Sequence, residues 1–299
     1  MKKTNNITES QNQNSVDIDT KTISEIVQIF HNDNSSILDG IYDSIDDIKS
    51  VIESTLSCLL AGGRLLYVGA GTSGRLGVLD ASECKPTFSV DDELVQGVIA
   101  GGVNALTKSI EGAEDKTDGV NDIIDEKNIS SKDIIIGISC SGTAPFVLEF
   151  LKCSHKIGAK TVLITFNNID NLKYVDKIIK TYVGPEIISG STRMKSGTAT
   201  KMILNMISTI TMIKLNKTYG NYMVDLNVVN EKLKNRAINI LKALTGINNS
   251  EAQIALNKSK GKVKNAIIMT NLKVSYDESN ELISKHNGNL RLILQSDKN

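Results

Sequence analysis

Apolar residues along this chain follow two patterns, a helical spacing and a series of short unbroken runs. Residues 23–60 show the helical spacing, with apolar positions three or four residues apart. The unbroken runs predict five strands, at residues 64–68, 94–100, 133–139, 161–166 and 178–183. The run at 133–139 has no polar alternation, which is typical of a central parallel strand covered on both faces.

Helical stretches separate these runs, at residues 75–83, 104–114, 120–126 and 145–157. Strands that alternate with helices predict an α/β fold with a doubly wound, parallel, five-stranded sheet. Residues 192–215 form a longer Met- and Ile-rich helical pattern, whose methionines are expected to pack in a core rather than bind a cofactor.

The pattern changes after about Gly246, where residues 250–259, 263–270 and 275–285 predict three short helices. Ser275 and Glu278 have the spacing of a capping box at the start of the last one. We therefore predict a polar N-terminal arm (1–22), an α/β domain with flanking helices (23–246) and a small C-terminal helical appendage (247–299).

Composition excludes several classes of function. The 299 residues carry 34 Lys and Arg against 34 Asp and Glu, so no overall field favours nucleic acid or an anionic membrane surface. No apolar run approaches the roughly 18 residues that span a bilayer. The polar N-terminus lacks the apolar segment of a signal peptide, and we expect a mobile arm that can lie over a partner subunit.

The cysteines and histidines bear on location and metal binding. Four scattered cysteines lack a Cys-x-x-Cys pair, so we expect reduced thiols in a cytoplasmic protein. The three histidines match no metal-binding spacing, so we expect neither a metal nor an organic cofactor.

The most informative segment is G-A-G-T-S-G-R at residues 69–75, between a predicted strand and a predicted helix. This G-x-G-x-x-G pattern presents backbone N–H groups to an anion, either a dinucleotide or a sugar phosphate. The adjacent hydroxyls of Thr72 and Ser73 suit a compact phosphate. A dinucleotide site needs an acid after a second strand about 20 residues on, but residues 85–92 contain Pro86 and do not read as a strand. A sugar phosphate is therefore favoured.

Polar stretches also follow two other predicted strands, and ligands of open parallel sheets bind beyond such strand ends. The candidate phosphate-binding residues are Gly71, Thr72, Ser73, Ser139, Ser141, Thr143, Glu186, Ser191, Thr192 and Lys195. A single Ser or Thr at such a position is more simply a helix cap, but several together favour a phosphate cradle. Lys195 either adds charge to that cradle or is a solvated surface lysine.

Several long motifs carry a family resemblance. G-A-G-T-S-G-R-L-G-V-L-D-A-S-E-C-K-P-T-F at 69–88, E-G-A-E-D at 111–115 and G-S-T-R-M-K-S-G-T-A at 190–199 resemble the N-acetylmuramic acid 6-phosphate etherases, which are built on the sugar isomerase (SIS) fold. The similarity extends over nearly the whole chain. It implies a cytoplasmic lyase of cell-wall sugar recycling that acts on a sugar phosphate as a homodimer.

The resemblance implies that Glu83 and Glu114 are the acid and the base. In the ring-opened substrate the C1 aldehyde makes the C2 proton removable by Glu114, while Glu83 protonates the C3 ether oxygen and D-lactate leaves. Water then adds, which gives N-acetylglucosamine 6-phosphate. One carboxyl must be protonated while the other is ionised. We expect Glu83, in a weakly polar neighbourhood, to end the first crossover helix and Glu114 the second.

One segment departs from the family pattern. S-G-T-A-P-F at 141–146 stands where S-G-R-T-P-Y is usual, so an Arg, a Thr hydroxyl and a Tyr hydroxyl are absent, although Thr143 can replace one hydrogen bond. Two alternatives therefore stay open: a non-catalytic sugar-phosphate sensor similar to the glucokinase regulatory proteins, and an aldose–ketose isomerase of the same fold. The presence of both Glu83 and Glu114 favours the lyase.

Overall fold

The structure, a computed structural model, describes residues 6–226, 228 and 230–295. Its contacts divide the chain into two compact units. The first contains the described residues up to Ser82 together with Glu93–Ser208, and the second contains Glu83–Asp92 and the described residues from Thr209 onward. The second unit thus includes helices on both sides of residue 246, where the sequence predicts a boundary.

The elements up to residue 214 alternate as the sequence predicts. They are α1 Ile23–Asp33, α2 Ser36–Asp43, α3 Ile45–Leu60, β1 Leu65–Gly69, α4 Gly71–Phe88, β2 Val95–Ile99, α5 Val120–Glu126, β3 Ile134–Ile138, α6 Pro145–Ile157, β4 Lys160–Thr165, β5 Lys177–Lys180 and α7 Lys195–Lys214. α6 has the predicted bounds because local signals set both ends: Pro145 occupies its first turn, and Gly158 ends it in the left-handed conformation.

The five strands form one parallel sheet in the order β2-β1-β3-β4-β5, which confirms the predicted doubly wound α/β fold. The direction of strand addition reverses between β1 and β3, and ligands of such sheets bind beyond the strand ends at this point. Gly69 and Ile138 are register partners, so β1 and β3 end side by side. The loops that follow them therefore start next to each other.

The core of the first unit explains why the central strands are apolar throughout. Every residue of β1 and of β3 is buried. α6 packs on β3 through Val147, Phe150 and Leu151, each 0% exposed. A Cβ at Gly137 would lie 2.7 Å from Cγ1 of Val147, so this close approach of helix and strand requires a glycine.

The predicted helix at residues 104–114 is wrong. The structure has a 3₁₀ turn at Val103–Leu106, followed by turns and bends up to residue 117. Gly102 and Gly112 have φ angles of 67° and 67°, a conformation that does not continue an α-helix. Val103 is 82% exposed, so the apolar spacing of this segment does not correspond to a buried face.

The second unit is mainly helical. After the short antiparallel strands β6 Thr218–Tyr219 and β7 Tyr222–Met223 come α8 Glu231–Thr245, α9 Asn249–Lys258, α10 Val263–Leu272, α11 Tyr276–Lys285 and α12 Leu290–Gln295. The three predicted C-terminal helices correspond to α9, α10 and α11, and the capping box of Ser275 and Glu278 is confirmed. Within the described part of the chain, no helix combines the length and apolar character that crossing a bilayer requires.

Candidate active site

The first loop of the site is the short connection from β1 to α4, in which only Ala70 lies between the two elements. Gly71 has a φ of 53°, in the region that glycine adopts most readily. A Cβ at Gly74 would lie 2.6 Å from the carbonyl oxygen of Gly69, so helix and strand approach closely only because Gly74 has no side chain. The first N–H groups of a helix have no acceptor within it, and those at the start of α4 can bind an anion beside Thr72 and Ser73.

The second loop, after β3, is held together by its own serines. Oγ of Ser139 accepts hydrogen bonds from the N–H groups of Gly142 (3.1 Å) and Ala144 (3.2 Å). Oγ of Ser141 accepts from the N–H and the hydroxyl of Thr143, at 3.2 and 2.8 Å. Both serines therefore shape the loop, and their hydroxyl oxygens lie 3.4 Å apart, within hydrogen-bond distance of each other.

In the third loop, Glu186 holds the start of α7. Its carboxylate is 0% exposed. Oε2 accepts from the N–H of Lys195 at 2.9 Å, and Oε1 accepts from the N–H and the hydroxyl of Ser196 at 2.9 and 2.7 Å. A carboxylate at a helix N-terminus is stabilised by these donors and by the helix dipole. Glu186 thus fixes the orientation of α7 from within the protein.

The interpretation of Lys195 as a solvated surface lysine is wrong. Its side chain is 4% exposed, and Nζ lies 2.8 Å from Oδ2 of Asp33 on α1. Nδ2 of Asn12 donates to Oδ1 of the same Asp33 and to the carbonyl of Pro185, each at 3.0 Å. The charge of Lys195 is therefore paired inside the protein, because a buried ammonium needs such a partner.

The three loops meet around Cys140, which the sequence analysis missed although it stands between two predicted ligands. Oγ of Ser73 lies 3.8 Å from Sγ of Cys140, and the Thr192 side chain hydrogen-bonds to the same thiol. Burial raises the pKa of Cys140 more than these two hydrogen bonds lower it, so the thiol is neutral. A Cβ at Gly197 on α7 would lie 3.5 Å from the Thr72 methyl carbon. Hydroxyls of the first and third loops thus converge.

The N-terminal segment lies on the third loop, so the expectation of a mobile arm is wrong for the described residues 6–22. Thr8 is 1% exposed; its carbonyl accepts from the N–H of Gly190 at 3.1 Å, and its Oγ1 accepts from Nδ2 of Asn167 at 2.9 Å. Oγ of Ser15 donates to the carbonyl of Ile187 at 2.7 Å. Residues 1–5 of the predicted arm lie outside the described residues. Ser191, half-buried in the same loop, follows Gly190 directly.

Glu114 lies beside the first loop. It lines a cavity of about 280 Å³ together with Gly71 and Arg75, so the structure brings the candidate base and the candidate phosphate loop together. Glu114 stands in a turn instead of at a helix end, and its side chain is exposed. Its carbonyl accepts a 2.9 Å hydrogen bond from the N–H of Phe146, in the first turn of α6.

Glu83 lies within α4, five residues before the helix ends at Phe88, and not at the end of a helix as expected. The side chain of Glu83 is exposed, so the prediction that it lies in a weakly polar neighbourhood is wrong for the single chain. Helical spacing explains this, because the buried residues Ala81, Cys84 and Phe88 share one face of α4 and Glu83 points elsewhere. Glu83 belongs to the second compact unit.

The structure accounts for one of the departures in 141–146. Phe146, in place of the usual tyrosine, is 4% exposed and packs against Phe150 with ring centroids 6.1 Å apart. The phenyl ring of Phe146 therefore packs in the core of the first unit. In the part of the chain that the structure describes, no three His, Cys, Asp or Glu side chains could hold a metal ion together.

Comparison with known proteins agrees with this geometry. The model of the "glucokinase regulatory protein N-terminal SIS domain" matches residues 45–155, and that of the "C-terminal lid domain of glucokinase regulatory protein" matches residues 220–279. The parallel sheet, its strand-end loops and the first of these matches define an SIS-domain protein, and the second match lies in its C-terminal helical unit.

Similar proteins define the family within that class. A protein of Clostridium beijerinckii is 46% identical over 96% of this chain and 95% of its own length. Proteins of a Picosynechococcus and a Geobacillus species are 43% and 42% identical, over 97% and 96% of this chain and 97% and 98% of their own lengths. All three are named N-acetylmuramic acid 6-phosphate etherase. The chain belongs to the family of N-acetylmuramic acid 6-phosphate etherases.

Proposed function

We propose that this chain is a carbon–oxygen lyase that cleaves the D-lactyl ether of N-acetylmuramic acid 6-phosphate, with N-acetylglucosamine 6-phosphate and D-lactate as products. The observation that carries this proposal is the near-full-length similarity to proteins of that name. The convergence of polar loops beside Glu114 at the strand ends supports it.

The 6-phosphate binds to the start of α4 and to the hydroxyls around Cys140. Thr72, Ser73, Ser141 and Thr192 donate their hydroxyl protons to phosphate oxygens, while Gly71 gives room for close approach. The set is completed by Ser139 and Thr143, which shape the second loop, and by Ser191 in the third loop. Glu186 and Lys195 act indirectly, since their charged groups are already satisfied by α7 and by Asp33.

The reaction starts from the ring-opened sugar, whose C1 aldehyde stabilises negative charge developing at C2. The Glu114 carboxylate removes the C2 proton, the C3–oxygen bond breaks, and the Glu83 carboxylic acid protonates the departing lactate oxygen. The product of this elimination is an unsaturated aldehyde. Water then adds its oxygen to C3 and a proton to C2, which restores the saturated sugar.

The active form is a homodimer in the cytoplasm. Exposed apolar side chains on α1 support a second subunit, since Ile23, Val27 and Phe30 lie at i, i+4 and i+7 and are 83%, 63% and 37% exposed. The exposure of Glu83 in the single chain fits an acid that a neighbouring subunit helps to desolvate. No disulfide joins the cysteines of the described residues, as is usual for thiols in the cytoplasm.

The test is D-lactate release by Glu83→Gln and Glu114→Gln variants, because loss of a positioned acid or base costs about 10²- to 10⁴-fold. Glu126→Gln, the same change at an exposed position at the end of α5, is the matched control and should keep near-native activity. An inactive wild-type protein that still binds the sugar phosphate would identify a sensor instead of a lyase.

Hydrogen exchange at C2 in deuterated water separates the two roles. Glu114→Gln should lose C2 exchange, whereas Glu83→Gln should retain exchange and release little lactate, because proton removal precedes ether cleavage in a stepwise elimination. The opposite pattern means that the roles are reversed. Loss of C2 exchange in both variants indicates that proton removal and ether cleavage are concerted.

A further inference from the structure

The segment that carries Glu114 has little core of its own. Between Val103 and Asp115 it consists of a 3₁₀ turn and further turns; Ala105 is 3% exposed, but Val103 is 82% and Ile110 39% exposed. Segments with few buried apolar contacts open at low free energy. A catalytic carboxylate in such a segment needs an external anchor to hold its position.

Arg75 supplies two such contacts from the first turns of α4. Its Nε donates to the carbonyl of Leu106 at 3.1 Å, and its Nη2 donates to the carbonyl of Lys108 at 2.9 Å. Hydrogen bonds from a charged guanidinium are stronger than neutral ones, and two from one planar group fix orientation as well as distance. The N–H of Phe146 binds the other end of the segment, at the carbonyl of Glu114.

Arg75 also belongs to the helix whose N-terminus forms the phosphate loop. Gly71 is only four residues earlier, one helical turn away, and both residues line the cavity that contains Glu114. A displacement of the guanidinium therefore moves the carboxylate segment relative to the bound phosphate. The C2 proton lies at a fixed distance from the phosphate of one substrate, so this relative position matters to proton removal.

We propose that Arg75 is a positioning residue for the reaction, which holds Glu114 at the distance from the phosphate loop that C2 deprotonation requires. This inference rests on the proposed base role of Glu114. Arg75 acts through the backbone of residues 106–108 and not by contact with the reacting atoms. Misplacement of a catalytic group by about 1 Å can cost on the order of 10²-fold in rate.

Arg75→Lys and Arg75→Ala provide the test, because lysine keeps the charge but cannot make both hydrogen bonds. Both variants should lower kcat by about 10²-fold, with C2 exchange reduced in parallel, while KM and competitive inhibition by inorganic phosphate stay near native. Millimolar guanidinium should restore part of the activity of Arg75→Ala. Lys108→Ala, which removes a side chain of the same segment but keeps the carbonyl acceptor, should behave as wild type.

Two results would overturn the proposal: a raised KM with unchanged kcat, which indicates direct substrate binding, or reduced lactate release with native C2 exchange. Amide hydrogen exchange of residues 103–115 separates this proposal from the proposed function. In Arg75→Ala we expect faster amide exchange in residues 103–115 and unchanged amide exchange in the rest of the first unit, even if the protein releases no lactate. An amide exchange rate of residues 103–115 equal to that of the wild type rejects the anchoring role.

Discussion

Hydroxyl groups in the strand-end loops serve both as loop caps and as candidate phosphate ligands. Ser139 and Ser141 accept hydrogen bonds from their own loop, and Thr143 donates to Ser141. Ser73, in contrast, points to the thiol of Cys140, where the first and second loops meet. A phosphate oxygen can replace this long sulfur contact with a shorter, charge-assisted hydrogen bond.

Ser73→Ala is therefore expected to raise KM with little change in kcat, because a phosphate contact persists from ground state to transition state. Steady-state lactate release, measured across substrate concentrations, checks this. The control is Ser82→Ala on the same helix, where the hydroxyl donates to the carbonyl of Leu79. A selective loss of kcat in Ser73→Ala contradicts a role in phosphate binding.

At the scale of elements, one buried carboxylate joins the beginnings of β1 and β3. Asp133 is 1% exposed. Its Oδ1 accepts from the backbone N–H of Arg64 at 2.9 Å, and its Oδ2 accepts from Nη2 of Arg64 and from the N–H of Ser130, at 2.8 and 2.9 Å. Burial raises the pKa of Asp133, but the hydrogen bonds from Arg64 and Ser130 outweigh burial and hold it below its usual value.

Asp133→Asn should lower the free energy of unfolding at pH 7 by about 1.5–3 kcal/mol, as measured by urea denaturation, because it removes charge-assisted hydrogen bonds and leaves Arg64 with only the more distant carboxylate of Glu93. The folded-state pKa is lowered, so the stabilisation is present above the unfolded value of about 3.9 and is lost as the pH falls through the folded value. The difference between wild type and variant should thus shrink in acid. Asp125→Asn, at an exposed position of α5, is the control; a pH-independent difference contradicts this account.

At the scale of the whole molecule, the apolar surface of the N-terminal helices requires explanation. α1 begins with a capping box of Thr22 and Glu25, so its start is well defined. Ile23, Val27 and Phe30 of α1 are nevertheless exposed, and so are Leu38 (63%) and Tyr42 (73%) on α2. An apolar surface of this kind is typical of a protein–protein contact. A second copy of the chain is the partner that the proposed homodimer supplies.

Val27→Glu should therefore convert a dimer to a monomer, since a charge buried in an apolar contact is costly. Sedimentation velocity measures the change, and lactate release should fall with the loss of the dimer if Glu83 needs the neighbouring subunit. Ile254→Glu, at a 54% exposed position of α9, is the matched control and should stay dimeric. A wild-type monomer, or a dimeric Val27→Glu variant, rejects this surface as the interface.

Local signals in the sequence were enough for the strands and most helices. The five apolar runs predict the five strands to within a few residues, and the central strands β1 and β3 are apolar throughout because they are buried on both faces. Neighbouring residues likewise determine both ends of α6 and the start of α11. The family resemblance implies the base role of Glu114, which stays a prediction; that Glu114 and Gly71 line one cavity is visible only in the structure.

The tertiary structure alone decided which polar groups are buried and what they bind. Thr8 contacts Asn167, 159 residues away, so no local pattern could show that the N-terminal segment is docked. Lys195 is buried because Asp33 of α1 reaches it, and Glu83 is exposed because other residues of α4 occupy the buried face. The segment at 104–114 has helical spacing, but it packs through Ala105 and Ala113 and not along a continuous helical face. Periodicity records the tendency of a segment to form an element, whereas burial and charge pairing depend on partners that only the folded chain brings together.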